Sequence, residues 1–423
     1  MLNTIIFVLI YLLTLLLAAT EMLNLSVSVL TGALLMAYFG LSNGLFTYQE
    51  ALGFIDMRII GLIIGSMIVI GVVEKSGLFH LISLYAMKAM GGDPGRFFIA
   101  SCLMAAIISM FLGDQASILF IGAAVVTVTK LFNHNPVPYI VSATIMTNLG
   151  GTSTLIGSTS NMVIGIHSGL SYANFISYLI PLEFTLWIVI TIILYLIYKP
   201  QLVVERRSVL NYNPWRAVKD RKILARSTIL LVLFLILMMF TDQLGTAPEA
   251  IALGFAILAL VVGGQESVEI FRCLDWETIF FLAGMLFLTK GFERTGLLTT
   301  LSNYIMGIAG GSSLKSTLLT MWSSGISSTV ISNTAVALVF TPIIQGLHGL
   351  NKSALWSALI LGTNLGGATT PLSGSVWILA LGVLRREGFT VSFVDFTKIG
   401  VITTVIQLCI ASLYLILRFG LVV

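Results

Sequence analysis

The chain has 423 residues, a formal net charge of +4, and a composition that is 57% hydrophobic and only 9% charged, with mean hydropathy +1.02. Soluble domains carry about 25% charged residues, so a water-soluble enzyme or binding module is excluded. Apolar runs of about 20 residues recur from end to end, each able to cross a hydrocarbon core of about 30 Å. The 39 glycines suit helices that pack closely in lipid.

The first run, Thr4 to Thr20, has no basic leader and no small-residue cleavage site, and a second span follows at once. It is expected to be a retained helix. Crossings are expected near 4–20, 25–43 and 57–74, then an amphipathic surface stretch near 77–92. The long apolar segment 95–132 is interrupted at Gly113-Asp114-Gln115 and reads as a re-entrant hairpin. A broken span at 137–169 and a full span at 173–198 complete a first unit, residues 1–198. Residues 199–226 form the only long polar segment, rich in Lys and Arg. It reads as a cytoplasmic loop under the positive-inside rule, not as a nucleic-acid surface, with Pro214 and Trp215 laying part of it along the membrane. The second unit, 227–423, gives crossings at 227–241, 247–264 and 276–293, a hairpin at 314–349, a broken span at 354–384 and a last span at 398–418.

Each unit then has five crossings, an odd number, so the second is inverted relative to the first. Both termini face outside a cell membrane. Two full spans in place of each hairpin would leave this parity unchanged. Hairpin arms of about 15 residues, short of the roughly 17–25 needed to span, favour the re-entrant reading.

An internal repeat supports the two units. Thr147-Asn148-Leu149-Gly150-Gly151 recurs as Thr363-Asn364-Leu365-Gly366-Gly367, 216 positions on. At an offset of 219, Asp56 matches Asp275, Gly65 matches Gly284, Glu74 matches Glu293, Gly77 matches Gly296 and Leu78 matches Leu297, while Lys75 meets Arg294. Sparse residue types agreeing in one register point to duplication.

The paired glycines are expected to break a helix, and irregular backbone at membrane depth is tolerated only where protein or a water-filled cavity satisfies it. Broken helices at matching places in two halves mark a transporter site near the bilayer midplane. Half-helix N-termini offer N–H groups to an anion, and half-helix C-termini and unwound carbonyls offer oxygens to a cation. Asn148, Thr152, Thr154, Asn161, Asn333, Thr334, Asn364, Thr369 and Thr370 add neutral donors and acceptors. The plainer reading is that these side chains bond across packed helices. Asp114 is the sharpest single residue, because a carboxylate at membrane depth costs at least about 2.5–3.5 kcal/mol. It is read as a proton carrier, or else as a structural acid bonded to backbone N–H groups at the tip.

Other charges carry less. Glu74, Glu293, Lys75 and Arg294 close the third crossings at the interface, and Asp56 and Asp275 precede those helices, where an acid suits the helix dipole. Glu183 follows Pro181 within a span. His80, His134, His167 and His348 have no metal-site spacing, and Cys102, Cys273 and Cys409 read as buried hydrophobes. No Ser/His pair, His-Glu-x-x-His or carboxylate pair in one helix suggests an intramembrane enzyme.

Ser332-Asn333-Thr334 at a hairpin tip, with Gly-Gly-Thr-Ser-Thr-Leu-Ile-Gly at 150–157, resembles the ion transporter superfamily. That group includes divalent anion/sodium symporters, citrate transporters, arsenite permeases, sodium/proton antiporters of the NhaD type and the melanosomal P-protein. The resemblance covers essentially the whole chain in order. Ser158-Thr159-Ser160-Asn161 departs from the family's Asp-Pro-Pro-Asn pattern. The region from Thr370-Pro371-Leu372 to Phe393 and Gly400, and Asp114 in Phe111-Leu-Gly-Asp-Gln-Ala-Ser, are most similar to the arsenite permeases.

The resemblance implies an elevator-type carrier and a homodimer, with spans 25–43 and 247–264 as candidate scaffold. It also implies one substrate site between two tips (Asp114, Gln115; Ser332, Asn333, Thr334) and two breaks (Asn148, Gly150, Gly151, Thr152, Thr154, Asn161; Asn364, Gly366, Gly367, Thr369, Thr370). No cofactor is expected beyond a coupling proton or a sodium ion near Asn148, Asn333 or Asn364. A cavity of hydroxyls and amides beside one acid suits arsenite, antimonite or another small inorganic anion first, then a di- or tricarboxylate, then sodium/proton exchange. A passive anion channel remains the other class.

Overall fold

The structure, a computed structural model, describes residues 2–19, 24–78, 81–82, 85, 93–132, 134–202, 215, 218, 220–264, 266–294, 307, 309–371, 373 and 375–420. Most of the expected surface stretch 77–92 and of the loop 199–226 lies outside these residues, as do Gly296 and Leu297. Among the described residues the chain is helical, with no strand.

In chain order, short turns aside, the helices are α1 (Leu2–Ala19), α2 (Leu25–Ser42), α3 (Tyr48–Leu52), α4 (Met57–Lys75), α5 (Pro94–Leu112), α6 (Asp114–Phe132), α7 (Val137–Thr152), α8 (Thr159–Ser168) and α9 (Tyr172–Tyr198). Then come α10 (Arg221–Met239), α11 (Pro248–Val262), α12 (Ser267–Cys273), α13 (Trp276–Glu293), α14 (Ser313–Ser328), α15 (Asn333–Gly346), α16 (Lys352–Gly366), α17 (Ser375–Arg386) and α18 (Phe393–Phe419).

Local chemistry sets these boundaries. Asp56 caps α4 by accepting from Arg58 N at 3.0 Å, and Asp275 caps α13 by accepting from Thr278 N at 3.0 Å. Asp93, Ser171, Asp220, Ser312, Asn351 and Ser392 cap other helix starts in the same way. Each such cap satisfies an N–H that the first turn leaves free. The Arg58 guanidinium also pairs with the Asp56 carboxylate at 2.6 Å and holds it below the usual carboxylate range.

Among the described residues, five helical segments are long and apolar enough to cross a membrane, Pro94–Leu112 being one of them. That corrects the arm-length argument for the first hairpin. Its arms, α5 and α6, have 19 residues each, about 28 Å at 1.5 Å per residue, because Asp93 and Pro94 start the helix early and only Gly113 interrupts it. The arms of the second, α14 and α15, have 16 and 14 residues. The last helix begins at Phe393 rather than 398, capped by Ser392. Cys102 is buried as expected, but Cys409 is exposed on the outer face of α18; the side chain of Cys273 lies outside the described residues.

Helices α7 and α16 form the centre. Every residue from Pro138 to Thr152 and from Ala354 to Gly366 is buried. A helix buried all round belongs inside a bundle, not against lipid or water.

Contacts between elements recur in pairs. Helix α5 packs on α7 as α14 packs on α16, and α9 packs on α7 as α18 packs on α16. Other pairs cross between the halves: α4 packs on α11 and α13 on α2, while α6 packs on α17 and α15 on α8. Lys75 pairs with Glu269 at 3.1 Å, and Arg294 with Glu50 at 3.1 Å. Both the bases and the acids of these pairs stand 219 positions apart. These ion pairs are partly exposed, so they report geometry more than stability.

Candidate functional site

The first glycine pair does not interrupt its helix, whereas the second ends its own. Helix α7 runs through Gly150-Gly151 to Thr152, and α16 ends at Gly366; the irregular stretches follow, before Thr159 and before Ser375. What the glycines supply is close approach. A Cβ on Gly150 would lie 2.1 Å from the Ala106 carbonyl oxygen, and one on Gly366 would lie 2.2 Å from that of Gly325. Each glycine therefore seats the first arm of a helix pair against the central helix.

Gly113 turns the chain between α5 and α6 with φ 78° and ψ 165°, a backbone that favours glycine. Asp114 opens α6, and its Oδ1 accepts from Gln115 N at 2.9 Å. Asp114 and Gln115 are half-buried. The turn abuts the first break: Thr154 Oγ1 donates to Met110 O at 2.6 Å, and Gly113 faces the carbonyls of Ile156 and Gly157.

The second turn repeats this with different atoms. Ser332 caps α15 by accepting from Ala335 N at 3.3 Å. Ser328 Oγ lies 2.8 Å from Asn333 Oδ1 and 2.7 Å from Thr363 O, with one proton to donate. Thr370 Oγ1 donates to Thr329 O. Gly367 lies against the Asn333 amide, which a Cβ would meet at 2.2 Å. Ser332, Asn333, Thr334 and Thr370 are half-buried.

The two breaks meet. Asn364 Nδ2 donates to Asn161 Oδ1 at 2.7 Å, and Ser160 Oγ donates to Asn364 Oδ1 at 3.4 Å. Asn161 Nδ2 donates in turn to Gly151 O at 2.9 Å and Thr154 O at 2.8 Å. Gly151 lies in the last turn of α7 and Thr154 in the break that follows, so one side chain satisfies a carbonyl that the helix end leaves free and ties it to the break. At the second break Ser373 Oγ serves the carbonyls of Gly367 and Thr370. Thr369 Oγ1 donates to Thr404 Oγ1 at 2.9 Å, and Thr404 donates to Leu365 O at 3.2 Å.

In this conformation most of the described break residues are enclosed, Thr370 being half-buried. Thr152, Thr154 and Asn161 are 0% exposed, Asn364 1%, and Asn148 and Thr369 5%. Asn148, the repeat counterpart of Asn364, donates only within its own helix, to Thr144 O at 3.3 Å. Each tip thus meets its own break, and the breaks meet one another, but among the described residues no hydrogen bond joins Asp114 or Gln115 to residues 332–334. A separate shallow recess lies between α8, α13 and α15, lined by His167, Thr289, Lys290, Glu293, Thr341 and Gln345 among others; the tips do not line it.

Several contributing residues escaped the sequence reading. Ser160, Ser328, Ser373 and Thr404 hold the breaks, while Ser109 Oγ, Thr147 Oγ1 and Ser153 Oγ are buried near the first break with no described partner. Single serines in apolar helices carry no spacing signal. Only the departure at Ser158-Thr159-Ser160 from the family pattern pointed there.

A family model described as Citrate transporter matches residues 15–362. The chain is similar to the 46 kDa membrane protein of Mycobacterium leprae, 26% identical over 418 residues and 97% of each chain. It is similar also to the arsenical pump membrane protein of Escherichia coli, 23% identical over 360 residues, 82% of this chain and 84% of that one. Among solved structures, the YdaH transporter of Alcanivorax borkumensis shares the fold with a TM-score of 0.67 at 17% identity, covering 99% of this chain and 98% of that one.

Proposed function

The chain belongs to the citrate transporter family and is a multi-pass membrane transporter, and from that premise we propose that it is a secondary active carrier of a small inorganic solute or anion of the arsenite or antimonite type, coupled to a proton or sodium gradient. Two inverted repeats enclose one site between the tips and the breaks, and the protein works by an elevator form of alternating access. It sits in the cell membrane as a homodimer, with both termini outside and residues 199–226 in the cytoplasm.

The observation that carries this reading is the Asn161–Asn364 bond at the centre of a polar core drawn from both halves. The paired contacts between halves, with Lys75–Glu269 answering Arg294–Glu50, support the repeat. Hydroxyls and amides dominate the core, and Asp114 is its one charged side chain. Such a donor and acceptor set matches a neutral trihydroxide, which needs hydrogen bonds but no counter-charge.

The alternative substrate is a di- or tricarboxylate, favoured by the family description. Its charge would call for cations, and neither tip nor break carries a Lys or Arg. Thermal-shift measurements with arsenite, antimonite, citrate, sulfate, phosphate, sodium and lithium separate these readings, because a ligand that binds the folded state raises apparent stability. Stabilisation by arsenite or antimonite supports the first reading. Stabilisation by citrate alone replaces it with the second.

A further inference from the structure

Helices α9 and α18 close the two halves and pack against each other as well as on the central pair. Their pairing is antiparallel. Near one end Tyr414 Oη donates to Tyr178 O at 2.7 Å and the Arg418 guanidinium lies 5.5 Å from the Tyr178 ring centre; at the other, Tyr198 and Asp395 are electrostatic neighbours. Glu183 stands five residues beyond Tyr178, and Gln407 seven residues before Tyr414. At 1.5 Å per residue this register sets them at the same level within about 3 Å along the helix axes.

Both side chains are 0% exposed. Among the described residues, neither carboxyl oxygen of Glu183 and neither polar atom of Gln407 has a hydrogen-bond partner. Trp187, one turn beyond Glu183, is 3% exposed; its Nε1–H closes no bond but stands within interaction range of Glu183. The second half shows what this position does when satisfied. Helices α9 and α18 have 27 residues each and begin 221 positions apart, so Glu183 corresponds to Thr404, which is bonded to Leu365 O and Thr369 beside the second break. Glu183 holds the equivalent place behind the first break, with a carboxyl group and no bond.

Other ionisable groups on neighbouring elements lie elsewhere. On α18, Asp395 and Lys398 stand at its start, Tyr414 and Arg418 at the Tyr178 end, and Cys409 is exposed. Tyr139 of α7 and Arg96 and Cys102 of α5 lie towards the Tyr195–Tyr198 end. Arg221, Lys222 and Arg226 open α10, and Lys352 caps carbonyls of α15. Among the described residues, Trp187 is the side chain in range of the Glu183 carboxyl. An unpaired carboxylate is costly in such an interior, whereas the neutral acid can accept from Trp187 Nε1–H and carries no charge to bury.

We propose that Glu183 binds a proton inside the carrier, beside Trp187, and that this proton is taken up and released as the first break binds and releases solute. The proposal rests on the carrier reading above. Its test uses the purified full chain, with arsenite as probe solute, in wild type, Glu183→Gln and Trp187→Phe. Infrared spectra should show a carboxylic-acid C=O band in wild type at neutral pH that Glu183→Gln lacks, that Trp187→Phe shifts, and that arsenite perturbs. In proteoliposomes Glu183→Gln should keep arsenite counterflow while its rate loses pH dependence. A wild type without the band, a band indifferent to arsenite, or a Glu183→Gln carrier with the wild-type pH profile overturns the proposal. So does a Glu183→Gln protein that fails to fold, because Gln reproduces the shape of the neutral acid. Absence of counterflow in wild type removes the carrier reading instead, and the infrared band still decides whether Glu183 holds a proton.

Discussion

Asn364 Nδ2 donates to Asn161 Oδ1 at 2.7 Å, joining side chains 203 positions apart in the chain. Asn161 holds the carbonyl end of α7, so this single bond ties the second central helix to the C-terminal end of the first. Asn364→Ala leaves Asn161 Oδ1 and Ser160 Oγ without that partner. It should lower stability by about 1–3 kcal/mol and abolish transport. Thermal melts and proteoliposome flux check both, and wild-type flux would show that the bond is dispensable.

Asn333 is half-buried against Gly367. Asn333→Ala removes a polar group at the tip without opening a large void, so folding should change by less than about 1.5 kcal/mol while transport is lost. Gel filtration monitors the fold and labelled-solute uptake the activity.

Gly150→Ala and Gly366→Ala should each push α5 or α14 off its central helix, since the new Cβ meets a backbone oxygen that cannot rotate away. Overpacking of this kind costs about 1–3 kcal/mol or more. Matched losses of melting temperature are expected in the two variants. A protein unaffected by either would contradict the close approach.

Much of this was legible in the sequence because it rests on local rules. Asp56 and Asp275 cap helices in one register, and apolar runs became helices. The Thr-Asn-Leu-Gly-Gly copies did mark the centre, although only the second pair, Gly366-Gly367, ends its helix and both act through close packing. What stayed hidden is three-dimensional. Nothing along the chain says that Asn161 reaches back to Gly151, or that a serine at 160 meets an asparagine at 364. The first pair of helices, with 19-residue arms, also shows that a polar interruption fixes where a turn falls but not how long its arms are.

Asp114→Asn keeps the shape of the tip and the backbone contact from Gln115 but removes titration. Under the coupled reading the variant should retain solute counterflow and lose gradient-driven accumulation. A purely structural Asp114 predicts either a misfolded protein or one fully active with unchanged pH dependence.

Asp56 gives a stability test outside the spans. Arg58 holds its folded-state pKa below the unfolded value. The stabilisation is present above about pH 4, the unfolded value, and is lost as pH falls through the folded one. Asp56→Asn should therefore lower the melting temperature at neutral pH, and the gap to wild type should close in acid. A gap independent of pH would show that the cap, not the charge, matters.

The most direct test of the polar core as the site of an active carrier is accumulation of labelled arsenite in proteoliposomes under an imposed proton or sodium gradient, with Asn333→Ala as control. Wild type should concentrate the solute above its equilibrium level, and the variant should not. Solute that only equilibrates in wild type, or an Asn333→Ala variant that accumulates it at the wild-type rate, would contradict the account.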